Sequence, residues 1–348
     1  MKEVYYHRQD FTLESGITIP GYHLAYTTYG KLNKKKDNVV WIFHALTANS
    51  LPSEWWPGLV GEDRLFNPEE HFIVCVNMPG SCYGSFSPLD INTTTGEIWY
   101  HDFPWFTIKD MVRAYKPLKD FLQIERIKIG IGGSTGGQQL LEWATEDPEL
   151  FEYIIPMATN AIHSPWGIAF NATQRMCIEA DSSWKEKHNK AGEEGMKAAR
   201  ALALLSYRHY DTYKATQPRP EGYPFSGHPD AESYQRYQGE KLANRFNAFS
   251  YYFLSKAMDS HDLGRNRKSL KQALNSIRAK TLMIGIENDI LFPVEEQIFA
   301  ASHIPDSKCE IIKSTYGHDG FLLEYEQIES LIRTFIPGFF KNKILKST

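Results

Sequence analysis

From Val39 to about Ala158 the chain alternates short, continuously apolar runs with stretches of helical periodicity. The runs are VVWIFHAL (39–46), HFIVCVNM (71–78), RIKIGIGG (126–133) and EYIIPMAT (152–159). None shows the strict in–out alternation of a half-exposed strand. Unbroken apolar runs are what parallel strands covered on both faces require. Between the last two, QQLLEWATEDP sets Leu140, Leu141 and Ala144 at helical spacing until Pro148 ends the run. Strand texture returns at TLMIGIEND (281–289) and CEIIKST (309–315), and a closing helix is predicted from about Asp319 to Phe335. Residues 10–30 read as a polar-flanked strand hairpin. The repeated β-α-β order predicts an α/β fold with a mostly parallel, doubly wound sheet.

From about Ser164 to Asn275 the texture changes. EEGMKAARALALLSYRHY, ESYQRYQGEKLANRF and YYFLSKAMDS are rich in helix formers and aromatics, and the Pro/Gly cluster TQPRPEGYPFSGHPD reads as loop. Because strand texture resumes afterwards, this zone is predicted to be a helical lid inserted into the α/β core. The division is then 1–163 for the first part of the core, 164–275 for the insertion and 276–348 for the rest of the core. No internal repeat or low-complexity tract interrupts it.

Composition narrows the class. Apolar residues make up 42% and charged residues 23% of 348, ordinary for a globular protein with a large core. A net charge of −4 without a basic tract argues against a nucleic-acid partner. The opening MKEVYYHRQD lacks the apolar segment of a secretory signal, and no run approaches membrane-spanning length, so a membrane partner is not expected. Four cysteines (Cys75, Cys82, Cys177, Cys309) show no CxxC spacing, which predicts reduced thiols and a cytoplasmic location. No metal-ligand pattern such as H-E-x-x-H is present, and neither a metal nor a cofactor is expected.

The candidate chemistry starts where RIKIGIGG runs into Gly132-Gly133-Ser134-Thr135-Gly136-Gly137. This is G-x-S-x-G in the context that gives the pattern meaning: strand, sharp turn, helix. The flanking glycines allow strand and helix to approach closely, and Ser134 is presented at the carboxyl end of the sheet above a helix N-terminus. A phosphate-binding turn would instead need a lysine after the glycines, or G-x-G-x-x-G, and has neither. Ser134 is therefore the predicted nucleophile of an α/β-hydrolase fold.

That fold places an acid and then a histidine beyond later strands. Asp289 follows the strand TLMIGIEND, whereas Glu287 is still in the run and Asp306 and Glu310 flank the next strand's start. Of twelve histidines only His303 and His318 lie beyond Asp289, and His303 precedes the last strand. His318 is the predicted base, and Asp289 its orienting acid. The oxyanion donors expected are the backbone N–H of Thr135 and, from the loop ending VVWIFHAL, that of Leu46. His44 beside it reads as a structural hydrogen-bonding residue.

These residues resemble a known family. HALT (44–47), WWPGLVG (55–61), the C-Y-G-S turn (82–85), FPWFTIKDMVRA (103–114), GGSTGG with LEWA (132–144), QRMCIEADSSW (174–184), GMKAARALALLSYR (195–208), SYQRYQGEKLANRF (233–246), ENDILFP (287–293) and YGHDGFLLE (316–324) are similar to homoserine O-acetyltransferases of the α/β-hydrolase fold. The resemblance implies a homodimeric acyltransferase of methionine biosynthesis, using acetyl-CoA or another acyl-CoA as co-substrate and L-homoserine as acceptor. It puts the triad on Ser134, Asp289 and His318, the carboxylate-binding arginine on Arg200 and the amino-binding aspartate on Asp319. A cation and an anion suit a zwitterion whose charges both need partners once water is excluded. The chain departs from the family at Thr135, commonly methionine; at Asn247 and Phe249, commonly Asp and Asn; and in KEKHNKAGEE, between Trp184 and Gly195. These departures bear on the acyl group and the acceptor: acetyl or succinyl transfer, a serine-like acceptor, or a plain esterase or thioesterase all use the same triad.

Overall fold

Ten strands form among the described residues: β1 (Lys2–His7), β2 (Phe11–Thr12), β3 (Thr18–Ile19), β4 (Tyr22–Tyr29), β5 (Val39–Phe43), β6 (Phe72–Val76), β7 (Ile127–Gly133), β8 (Phe151–Met157), β9 (Lys280–Ile286) and β10 (Ser307–Ile312). Eight of them join in one sheet of order β1-β4-β6-β5-β7-β8-β9-β10. Pairing is parallel from β6 through β10, and antiparallel where β4 meets β6 and β1 meets β4. The computed structural model describes residues 2–218, 222 and 230–340, so most of the predicted Pro/Gly loop (219–221 and 223–229) lies outside the described residues.

The helices are α1 (Pro52–Trp55), α2 (Ile108–Phe121), α3 (Thr135–Glu146), α4 (Pro165–Glu179), α5 (Glu193–Tyr207), α6 (Tyr210–Thr216), α7 (Asp230–Ala243), α8 (Ala248–Asp259), α9 (Leu270–Ser276), α10 (Val294–His303), α11 (Gly320–Leu323) and α12 (Tyr325–Phe335). The unbroken apolar runs now have their physical reason. In β5, Val39, Trp41 and Phe43 enter one core while Val40 and Ile42 enter the other. In β6, Phe72, Val74 and Val76 divide from Ile73 and Cys75 in the same way. The first core is closed by α2 and α3 through Tyr115, Leu118, Leu140 and Trp143, with Trp41 and Trp143 edge to face at 5.0 Å. The second is closed by Trp56, Ile328 and Ile332. Each such fully buried large side chain contributes about 1.5–3 kcal/mol relative to exposure.

Between β8 and β9 the described chain is helical, with α4 packed on α5 and α8, and α5 on α7. This lid is stitched to the core where it leaves and returns: His163 N–H donates to the His261 carbonyl (2.9 Å) and Leu263 N–H to that of Ala161 (3.0 Å).

Two expectations are corrected. Residues 10–30 do not form one hairpin. β2 and β3 pair as a separate two-stranded ribbon, whereas β4 pairs with β1, upstream of that segment, and with β6. The longer β4, with Leu24, Ala25 and Tyr26 buried, has enough apolar surface to take a place in the main sheet. The closing helix is also not continuous: a 3₁₀ turn (Gly317–Asp319) leads into α11, and Glu324 at φ −85°, ψ 53° breaks the path before α12. The break lets Phe321 pack beside His318 while Ile328 and Ile332 pack against the sheet.

Candidate active site

Ser134 occupies the turn between β7 and α3 with φ 56° and ψ −127°. This is a region L-residues rarely enter, and it stores about 1–3 kcal/mol that the surroundings must offset. They do so through three hydrogen bonds. Its N–H donates to Met157 O (2.9 Å), and its carbonyl accepts from Gln138 N–H (3.1 Å) and Thr159 Oγ1 (2.8 Å). The glycines of the motif are required by contact: a Cβ on Gly136 would stand 2.2 Å from the Phe43 carbonyl oxygen, and one on Gly132 would stand 2.7 Å from Gly136. Thr135 is the first residue of α3, as expected of an oxyanion donor, and its hydroxyl turns away to Met258 Sδ (3.2 Å).

Asp289 and His318 come together as predicted. Asp289 Oδ2 accepts from His318 Nδ1 at 2.6 Å, while Oδ1 accepts the N–H groups of Leu291 (2.8 Å) and Phe292 (2.9 Å). Three donors thus fix a carboxylate that is fully buried. An Nδ1 donor leaves Nε2 as the imidazole's basic nitrogen. The ring is clamped by a stacked Phe292 (5.2 Å), an edge-on Phe321 (5.3 Å) and Tyr207 (5.8 Å).

Ser134, His318, Leu46, Arg200 and Asp319 line one cavity of about 610 Å³ between the carboxyl ends of the strands and the lid. Arg200, on α5, lies with its guanidinium over the Tyr207 ring at 5.5 Å. Asp319 is in ion-pair contact with Arg208 Nε at 2.9 Å. Burial pushes the Asp319 carboxyl above its ordinary pKa, and Arg208, Arg200 and His318 pull against that. The sequence alone gives Arg208 no role, although it closes the segment GMKAARALALLSYR. Its partner lies in another element, and nothing in the local pattern points to it.

His44 has the structural role expected of it. Burial lowers its pKa to about 4, so the ring is neutral; Nδ1 faces the Ala45 carbonyl (2.9 Å) and Nε2 accepts from Met78 N–H (3.1 Å). Of the departures from the family pattern, Asn247 caps α8 by accepting from Phe249 N–H (2.9 Å), a task aspartate performs equally well. Phe249 fills an aromatic cluster with Tyr100, His101 and Trp184. Neither residue lines the cavity. Among the described residues no cluster of three or more His, Cys, Asp or Glu could hold a metal, and no helix is long and apolar enough to cross a membrane.

Comparisons with known proteins agree with the fold. A model of the α/β-hydrolase fold family matches residues 38–325. The homoserine O-acetyltransferase of Cyclobacterium marinum is 48% identical over 96% of this chain and 95% of its own length. The crystal structure of homoserine O-acetyltransferase from Bacillus anthracis superposes with a TM-score of 0.88 at 25% identity, covering 96% of this chain and 97% of that one. Esterase E22 shares the fold, with a TM-score of 0.85 at 23% identity over 96% of this chain and 99% of its own.

Proposed function

This chain belongs to the homoserine O-acetyltransferase family of the α/β-hydrolase fold, and from that premise we propose that it moves an acetyl group from acetyl-CoA to the hydroxyl of L-homoserine through an acyl-enzyme on Ser134. His318 Nε2 takes the Ser134 proton as the hydroxyl oxygen attacks the thioester carbonyl. The Leu46 and Thr135 N–H groups hold the oxyanion of the tetrahedral intermediate. Its collapse breaks the C–S bond, and the CoA thiolate leaves with the proton from His318. The homoserine hydroxyl then gives its proton to His318 and attacks the acyl-enzyme. Collapse returns that proton to Ser134 and frees O-acetylhomoserine.

The observation that carries this reading is the shared cavity, where Ser134 and His318 stand with the Arg200 guanidinium and the Asp319 carboxylate. Arg200 holds the carboxylate of the amino acid and Asp319 its ammonium. An acceptor tethered at both ends reaches an effective molarity of about 10⁵ M or more, which lets its hydroxyl outrun water at the acyl-enzyme. The family resemblance alone extends the reading to methionine biosynthesis by a cytoplasmic homodimer without a cofactor.

The test is CoA release from acetyl-, propionyl- and succinyl-CoA, with and without L-homoserine or L-serine. Acetyl-CoA with L-homoserine is expected to give the highest kcat/KM, with O-acetylhomoserine as product. Equal steady CoA release without any amino acid, with acetate accumulating, would assign the chain to the esterases instead.

A further inference from the structure

The lid reaches the oxyanion hole through a chain of backbone hydrogen bonds. Arg245, between α7 and α8, donates from Nη1 to the carbonyl of Thr47 at 2.6 Å and to the hydroxyl of Tyr83 at 2.5 Å. The peptide unit that carries the Thr47 carbonyl also carries the Ala48 N–H. That N–H donates to the Ala45 carbonyl at 3.0 Å. The Ala45 carbonyl in turn belongs to the peptide unit of the Leu46 N–H. In a trans peptide the C=O and N–H point in opposite directions, so fixing one aims the other. Three groups thus stand in series: a guanidinium, one peptide unit and the peptide unit of the oxyanion donor.

We propose that Arg245 is a positioning residue which, from the lid, orients and polarises the Leu46 N–H for the oxyanion. The inference rests on the Ser134 acyl-enzyme reading and on Leu46 as a donor. A cation at the head of a hydrogen-bonded chain withdraws electron density along it, so the terminal N–H becomes a stronger donor where charge develops. The core supplies the other constraints. The His44 ring sits against the same Ala45 carbonyl, and Asn77 accepts from Ser50 N–H (2.8 Å) while donating to the Tyr83 carbonyl (3.1 Å). Tyr83, Asn77, Ser50, Thr47 and Arg245 therefore close a loop around the oxyanion strand-end, and Arg245 is the member that the lid provides. A competing role exists for an exposed cation at the cavity mouth: gripping the phosphates of CoA.

The experiment compares wild type, Arg245→Met and Arg245→Lys by two readouts. The first is kcat and KM for acetyl-CoA at saturating L-homoserine. The second is the inactivation rate by a small alkyl fluorophosphonate, whose phosphoryl oxygen uses the oxyanion hole and which has no CoA moiety. The relay predicts that Arg245→Met lowers kcat and the inactivation rate together, by about tenfold or more. It also predicts an unchanged KM for homoserine, an unchanged Tm, and partial recovery in Arg245→Lys. A raised KM for acetyl-CoA with kcat and inactivation rate unchanged overturns the relay in favour of phosphate contact. Loss of Tm in both variants, with activity falling in proportion to the folded fraction, overturns it in favour of simple lid anchoring. Ser134→Ala is the separate control: full turnover in that variant sinks the acyl-enzyme reading itself.

Discussion

The core half of the site and the lid half are built on different physical terms. Asp289 and His318 sit just beyond β9 and β10 and are held by three hydrogen bonds to one carboxylate and by three aromatic rings around the imidazole. Arg200 and Arg208 sit on and after α5, held by a ring face and by one ion pair across to the core. The first arrangement is over-determined, with more constraints than the group has freedoms. The second leaves cations able to exchange a protein partner for a substrate charge. In the proposed reaction, bond-making falls to the strand ends and selection of the acceptor to Arg200 and Arg208.

The comparison predicts different kinds of damage. Ser134→Ala or Asp289→Asn strikes the over-determined half. About a 10⁴-fold fall in kcat is expected for either, with the KM for homoserine little changed, measured as steady-state CoA release. A loss confined to KM would show that the core half does not carry the chemistry. Substitutions of Arg200 or Arg208 should spare the first half-reaction. Arg200→Met is expected to lower kcat/KM for homoserine about 10²-fold while the burst of CoA from acetyl-CoA keeps its rate. Arg208→Met, which leaves the Asp319 carboxylate without its ion-pair partner, is expected to cost about 30-fold in the same constant, with Arg208→Lys recovering part of it. Equal loss in the burst phase would erase the division between the two halves.

The smallest effect concerns the seam. His163 lies where α4 leaves the core, between the side-chain amides of Gln138 (3.2 Å) and Asn171 (3.3 Å), with Asp259 at 3.8 Å and the Phe292 ring beside it. Burial lowers its pKa to about 4, and Arg175 adds to that while the Gly167 backbone opposes it. Because the folded value lies below the ordinary 6.5, the unfolded chain binds a proton in this window that the folded chain refuses. Stability is thus full above about pH 6.5 and falls as pH drops toward 4. Replacing His163 by Gln is expected to remove about one proton of that slope, a tenfold change in the folding constant per pH unit, or about 1.4 kcal/mol. Urea unfolding at pH 4.5, 5.5 and 6.5 measures it. An unchanged slope would mean that His163 is protonated in the folded seam.

Legibility in the sequence followed the range of the forces involved. The nucleophile turn was readable because its requirements are contiguous: Gly132 and Gly136 are needed by contacts within the turn and with β5. Asp289 and His318 were readable through the order of strands and the elimination of other histidines. The opening ribbon is not legible in the sequence because β4 pairs by burial in the main sheet, which no local alternation records. Arg208 is not legible in its segment, since an arginine at a helix end shows nothing of the carboxylate it will meet.

By itself the chain determined the doubly wound sheet, the helical character of the insertion and the placement of Ser134, Asp289 and His318 at the strand ends. Those features depend on periodicity and on sterics between near neighbours. Only the tertiary structure decided that Arg208 meets Asp319 and that Arg245 reaches Thr47, 198 residues away. Such pairings arise from how the lid folds back over the sheet. Each is a weak, directional contact, made only after burial of both cores has placed the two chain segments side by side.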